Sequence, residues 1–243
     1  MNQCLDTWTP GHLDLGIYAM QTEHKKQSQQ YHHGDLKRVL IKTAVELITE
    51  QGTGDLSLRK IAQRAGVSHA APYRHFKDKN AILVAVAKQG FEMMLNQTLE
   101  MIARNSGDDL GRFGICGLSY IEFAVRHPAH YRVMFGTRDE NSYFSEEFKP
   151  KSIPVFKLLR DTIKACQNKG LLKKGNVQEM ALAAWSIVHG FAMLRIDRHI
   201  PEKKFKKTRL NDFKWSVLKT LYLGLGPEED RLKDLSIEIE DVI

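Results

Sequence analysis

The sequence predicts an all-α protein, on three observations. From Asp35 onward, apolar residues recur every three or four positions, the spacing that gathers them on one face of a helix. Capping Ser and Asp residues and stopping Gly residues punctuate these segments. Alternating β-branched runs are scarce. The expected architecture is an N-terminal three-helix head over residues 31–79 and a larger helical domain over 80–226. Together these give about nine helices. Residues 1–30 are expected to be an unstructured arm and 227–243 an acidic tail.

The elements follow in order. Leu36, Val39, Leu40, Ala44, Leu47 and Ile48 form the apolar face of a first helix, which Gly52 and Gly54 end. Ser57 caps a short second helix with Leu58, Ile61, Ala62 and Ala65 inward, and Gly66 stops it. Ser68 caps a third, His69 to Phe76. Asp78 opens a long helix carrying Ile82, Leu83, Val86, Phe91, Met94, Leu95, Leu99 and Ile102, with Gly90 a weak point. Its length over 79–104 is about 39 Å. Further helices are expected near 108–127, 129–136, 152–169, 176–199 and 209–224, with a polar loop over 137–151.

Composition narrows the function. The 243 residues are 42% hydrophobic, which excludes wholesale disorder. The net charge is +7, although seven acids face two bases between Pro227 and Ile243, so the body is more basic than the whole. A basic body suits a polyanionic partner. No apolar run approaches a membrane span of roughly 20 residues, and the first twenty residues lack the pattern of a secretory signal. Met20 opens the polar run and is a candidate natural start. Cys4, Cys116 and Cys166 are far apart, which excludes a disulfide framework and a cysteine zinc site and fits a reducing cytoplasm.

Residues 57–76 read as two short helices joined by a tight turn at Ala65-Gly66-Val67-Ser68, a helix-turn-helix. The second helix of that motif enters the major groove of double-stranded DNA. Ala70 and Ala71 are short enough to let it sit deep, while His69, Tyr73, Arg74 and His75 line its outer side. Lys77 and Lys79 follow at the N-terminus of the long helix, where free N–H groups suit a phosphate. Nine bases against five acids lie between Tyr31 and Asn80, which puts positive charge where phosphate contacts need it.

This stretch resembles the DNA-binding head of the TetR family of transcriptional regulators. The family pattern stands here as Ser57, Ile61-Ala62, Ala65-Gly66-Val67-Ser68, Tyr73, Phe76 and Lys79, with Leu36 to Gly52 matching the first helix. The resemblance implies that Ser68, Tyr73 and Lys79 hold phosphates and that His69, Ala70, Ala71 and Arg74 face bases, with Ser57 and His75 counted among the DNA-binding residues. Pro72 departs from the Leu of many members and is expected to stiffen the recognition helix. Ala183 to Gly190 resembles the Trp-x-x-x-His-Gly signature of one subgroup of C-terminal domains, through Trp185 and His189 on one helix face.

The resemblance implies a homodimer on a near-palindromic operator, repression released by a small apolar or amphipathic effector, and a last-helix bundle holding the dimer. Candidate effector contacts are Tyr120, Phe123, Tyr131, Met134, Trp185 and His189; each also reads as ordinary core. Met and aromatic residues adapt to apolar ligands, and the two Tyr and the His supply fixed polar groups. Ala181, Leu182, Ala184, Ile187 and Val188 suit close helix packing. His127 and His130 are separated by the helix-breaking Pro128, so no metal site is expected, and no cofactor motif occurs. Ser186 and His189 lack an orienting acid. An enzyme is therefore not expected. The competing readings are a DNA-binding protein without a ligand and a small helical enzyme with its site around Trp185 and His189.

Overall fold

The computed structural model describes residues 33–105, 107–136, 149–200 and 207–226. In chain order these form α1 (His33–Gln51), α2 (Leu58–Arg64), a 3-10 turn (Pro72–Arg74), α3 (Lys79–Arg104), α4 (Asp109–Arg126), α5 (Pro128–Phe135), α6 (Lys149–Asn168), α7 (Val177–Ile196) and α8 (Lys207–Leu225). No strand occurs among the described residues. The expected arm, the candidate start at Met20, the acidic tail and most of the 137–151 loop lie outside them.

Capping chemistry sets the helix starts. Ser57, Asp78 and Asp108 each accept a hydrogen bond from a backbone N–H three residues on, at Lys60, Ala81 and Gly111. Asn176 does the same for Gln178 and Glu179 at α7. Each cap contributes about 1 kcal/mol. Gly52, Gly66 and Gly170 follow the ends of α1, α2 and α6 with φ of 77°, 68° and 69°, a conformation that strains any residue with a Cβ. α6 starts at Lys149, earlier than the expected 152, and carries Pro154 inside it. A proline near a helix start fixes a helical φ at the cost of one hydrogen bond.

The head is built by α1, α2 and the start of α3 around Leu40, Leu47, Leu58, Ile61 and Phe76, all buried. α4 is the centre of the body and packs against α3, α5, α6, α7 and α8. Gly90 is where α3 meets α5: an added Cβ would collide with the Met134 side chain and come within 3.3 Å of His130 Cβ. The expected weak point is thus a crossing point. Thr98 Oγ1 and Ser119 Oγ, both buried, lie 2.9 Å apart, and Gln97 Nε2 donates to the Ser119 carbonyl at 3.1 Å, which fastens α3 to α4.

Three expectations are corrected. Val39 and Leu99 are exposed, because each sits a helical step of about 100° off its buried stripe. Second, α7 is long and apolar enough, by length and composition, to match a membrane span, which the run-length reading missed. Ala181, Ala184, Val188 and Ala192 nonetheless pack it into the body. Third, the expected helix from His69 to Phe76 is a turn, for the reason given next.

Candidate nucleic-acid interface and internal cavity

In the head, α2 is anchored to α1 by Arg64, whose two guanidinium nitrogens donate to Glu50 at 2.9 and 2.7 Å. Gly66 then turns the chain. From Ser68 the backbone follows i to i−3 bonding: Ala71 N–H donates to the Ser68 carbonyl at 3.0 Å and Arg74 N–H to that of Ala71 at 3.2 Å. Pro72 is the cause. It has no N–H to return to the Ser68 carbonyl, the bond an α-helix would need there. The 3-10 turn opens after Ala71 with no side-chain cap, so the Ser68 hydroxyl does not cap it as expected.

Pro72 itself is fully buried beside the other apolar residues of the head. Its neighbours therefore point outward. Ser68, His69, Ala70, Tyr73 and Arg74 are exposed, while Ala71 and His75 are half-buried. Tyr73 exposes 55% of its surface, high for an aromatic ring and suited to a contact outside the chain. Lys79 Nζ donates to the Gly54 carbonyl at 2.9 Å, bracing the start of α3 against the loop after α1. Lys77, Arg59 and Lys60 are exposed nearby. Ser57 serves the fold through its cap. Ser68, His69, Tyr73 and Arg74 are thus exposed in the turn that precedes the α3 start.

The body holds a partly open cavity of about 470 Å³. Its wall is largely apolar, with Phe91 and Met94 from α3, Phe113 and Tyr120 from α4, Phe156 from α6 and Trp185 from α7. Polar atoms are few: Thr98, Cys116, Tyr120, Trp185 and, on the α6 and α7 side, Lys157, Arg160 and Gln178. Arg160 is held by Gln178 Oε1 at 3.1 Å. Burial pushes the Cys116 thiol up to about 11, which makes it a poor nucleophile near neutral pH.

The six expected effector residues divide. Tyr120 and Trp185 line the cavity. Tyr131 and His189 stand behind Tyr120 in a polar cluster: Tyr120 Oη and Tyr131 Oη lie 2.8 and 2.7 Å from His189 Nδ1 and 2.9 Å from each other, and Trp185 Nε1 donates to Tyr120 Oη at 2.8 Å. Burial raises Tyr120 and Tyr131 well above the usual phenol range and lowers His189, so both hydroxyls keep their protons and the imidazole is neutral. Phe123 and Met134 are core residues away from the cavity wall. Phe91 was expected only as an apolar residue of the long helix, and Phe156 and Arg160 were not singled out; only the crossing of α6 over α3 and α4 brings the three together. Among the described residues, no group of three or more His, Cys, Asp or Glu side chains is placed to share a metal ion.

Comparison with known proteins agrees with both halves. Residues 40–86 match the family described as bacterial regulatory proteins, tetR family, and residues 115–211 match the tetracyclin repressor-like C-terminal domain. The chain is 28% identical over 167 residues to an uncharacterized HTH-type transcriptional regulator, YvkB, of Bacillus subtilis (strain 168), covering 66% of this chain and 82% of that protein. It is 42% identical over 105 residues to tetracycline repressor protein class C of Escherichia coli, covering 42% of this chain and 45% of that protein. A solved protein with unknown function from Rhodococcus sp. RHA1 is similar at a TM-score of 0.70 and 28% identity, covering 82% of this chain and all (100%) of that one. The transcriptional regulator FadR from Bacillus subtilis, solved in complex with stearoyl-CoA, shares the fold at a TM-score of 0.61 and 20% identity, covering 77% of this chain and 98% of that one. With the capped helix pair, its exposed basic turn and the helical body all matched, the chain belongs to the TetR family and is a DNA-binding transcriptional regulator rather than an enzyme.

Proposed function

We propose that the protein is a cytoplasmic, homodimeric repressor that a small, largely apolar effector releases from a near-palindromic operator. The observation that carries this is the course of α3. It starts in the head at Lys79, and its Phe91, Met94 and Thr98 line the cavity, so a ligand there touches the same rigid element that positions the DNA-facing turn. In this reading Ser68, Tyr73 and Lys79 hold phosphates, and His69, Ala70, Ala71 and Arg74 face bases, with His75 at the edge. Residues up to Lys79 are the DNA-binding unit, and 80–226 bind effector and partner. The C-terminal domain is of the Trp-x-x-x-His-Gly subgroup, its Trp185 and His189 serving the polar cluster beside the cavity.

Dimerisation through α7 and α8 has its support in their outer faces. Ala183, Ile187, Gly190 and Leu194 are exposed at i, i+4, i+7 and i+11 on α7, the repeat of a helix seam. Trp215 and Leu223 of the adjoining α8 are 59% and 65% exposed, with the exposed Lys219 between them. A two-fold partner would cover the seam. An apolar effector has its support in the cavity wall, and FadR, of like fold, binds stearoyl-CoA. Moving a regulator from 1:99 to 99:1 between states needs a preference of about 5.5 kcal/mol for the released form.

The test is fluorescence anisotropy on DNA flanking the protein's own coding region, with and without a panel of apolar compounds. Saturable binding that one of them reverses supports the reading. Binding unaffected by any compound that calorimetry shows to enter the protein would leave a DNA-binding protein with no effector control.

A further inference from the structure

The cavity is mostly apolar inside and charged at its mouth. Among its described lining residues, those exposed to solvent are Lys157 of α6 and Gln178 and Leu182 of α7, while Phe91, Met94 and Phe113 are buried. The cavity therefore opens between α6 and α7, and Arg160 stands half-buried on that side.

The two cations of the mouth are not equivalent. Lys157 Nζ is paired with Asp161 at 2.5 Å, so its charge is matched. Arg160 donates one N–H to the neutral Gln178 Oε1 at 3.1 Å, and among the described residues no carboxylate pairs with it. A guanidinium carries five N–H donors in a planar fork, so one amide oxygen restrains the fork and leaves most of it open. Together Lys157, Arg160 and Asp161 leave one positive charge at the mouth.

A guest that fits both parts has the same division of polarity. An apolar body gains from leaving water for the aromatic and aliphatic wall. A carboxylate accepts two parallel N–H bonds from a guanidinium, a stronger contact than a neutral acceptor makes. One negative charge cancels the excess at the mouth. A purely hydrocarbon guest leaves it uncancelled, and a guest with several charges brings more than the mouth can match.

We propose that Arg160 is the anchor of this cavity, and that the effector is a singly charged amphiphile whose apolar body fills the chamber and whose carboxylate is held by the guanidinium between α6 and α7. Gln178 is a positioning residue that restrains the fork. The proposal rests on the reading of the cavity as an effector site and adds the chemistry of its occupant.

The experiment titrates two probes of equal chain length, decanoate and neutral decanol, into the full chain by calorimetry, using wild type and Arg160→Gln. The expected result is a roughly tenfold loss of decanoate affinity in the variant, with decanol affinity unchanged. A second measurement needs wild type alone: the carbon-13 resonance of carboxyl-labelled decanoate in the complex, followed from about pH 7.5 to about 5.5. Burial in an apolar pocket without a cation raises a carboxyl pKa and brings its protonation into this window, whereas an adjoining guanidinium holds it ionised. The resonance is therefore expected to stay at its ionised position throughout. If decanoate binds wild type and variant alike and its carboxyl takes up a proton in this window, or if decanol alone binds wild type, the anchoring role of Arg160 is overturned while the apolar site stands. If neither probe binds wild type, the effector-site reading itself falls, and this inference with it.

Discussion

His130 is a buried imidazole whose Nε2 lies 3.1 Å from Gln89 Oε1, and burial, reinforced by His127, lowers it to about 4. The unfolded chain holds its proton more tightly, with a pKa near 6.5. Stability from the neutral group is therefore complete above pH 6.5, drains as pH falls through that value and levels off near pH 4, a total of about 3 kcal/mol. Urea midpoints at pH 7.5 and 5 check this: the drop between them should be smaller in His130→Gln than in wild type. Single residues of the head are separable in the same way. Lys79→Ala should weaken all DNA sequences alike and flatten the salt dependence by roughly 2 in the log–log slope of a dimer, one phosphate per subunit at about 0.9 each. Arg74→Ala should instead relax preference at one base position by about 1–3 kcal/mol per half-site. Anisotropy titrations at several salt concentrations on operator and scrambled DNA distinguish the two, and an unaltered base preference in Arg74→Ala would remove its base-reading role.

At the scale of elements, α3 and α5 are pinned together at Gly90, where a methyl group has no room unless the buried Met134 moves. Alanine would gain up to about 1 kcal/mol of helix propensity there, but overpacking costs about 1–3 kcal/mol. Gly90→Ala is thus expected to destabilise by about 1 kcal/mol, and Gly90→Val by more, in urea unfolding. The helices themselves were legible because capping residues, glycine stops and apolar periodicity all act within a few positions. Gly66 and Ser57 announced their roles in this way. The segment from His69 to Phe76 was misread because one missing N–H, at Pro72, shifts its hydrogen bonding from α to 3-10. The cavity was half legible. Trp185, Tyr120, Tyr131 and His189 share a polar cluster that spacing on α7 hinted at, but Phe123 and Met134 look the same in sequence and lie in the core. Which side of an apolar helix meets an empty space depends on helices crossing from far along the chain, and no local pattern records that.

For the whole molecule, the exposed seam on α7, with Trp215 and Leu223 exposed on α8, predicts a dimer without DNA. Leu194→Glu or Ile187→Glu should yield a folded monomer by sedimentation at micromolar concentration, with operator affinity lost alongside; an intact dimer in both would place the interface elsewhere. The fastening of α3 to α4 at Thr98 has a mechanical consequence. From Lys79 to Thr98 the helix runs roughly 28 Å. With Gln97 and Thr98 held by Ser119 of α4, α3 is an arm with its fulcrum in the cavity wall, since Thr98 itself lines that cavity. A tilt of about 6° at the fulcrum carries the far end through about 3 Å, and two such arms in a symmetric pair change the distance between their tips by up to about 6 Å. Successive major grooves on one face of DNA repeat every 34 Å or so, and side chains read bases within a few tenths of an ångström of contact. If the proposed effector release from a symmetric pair holds, a guest that nudges the short end by a fraction of an atom's width would be geared up, at the tips, to a mismatch that side-chain rearrangement on the DNA would not absorb.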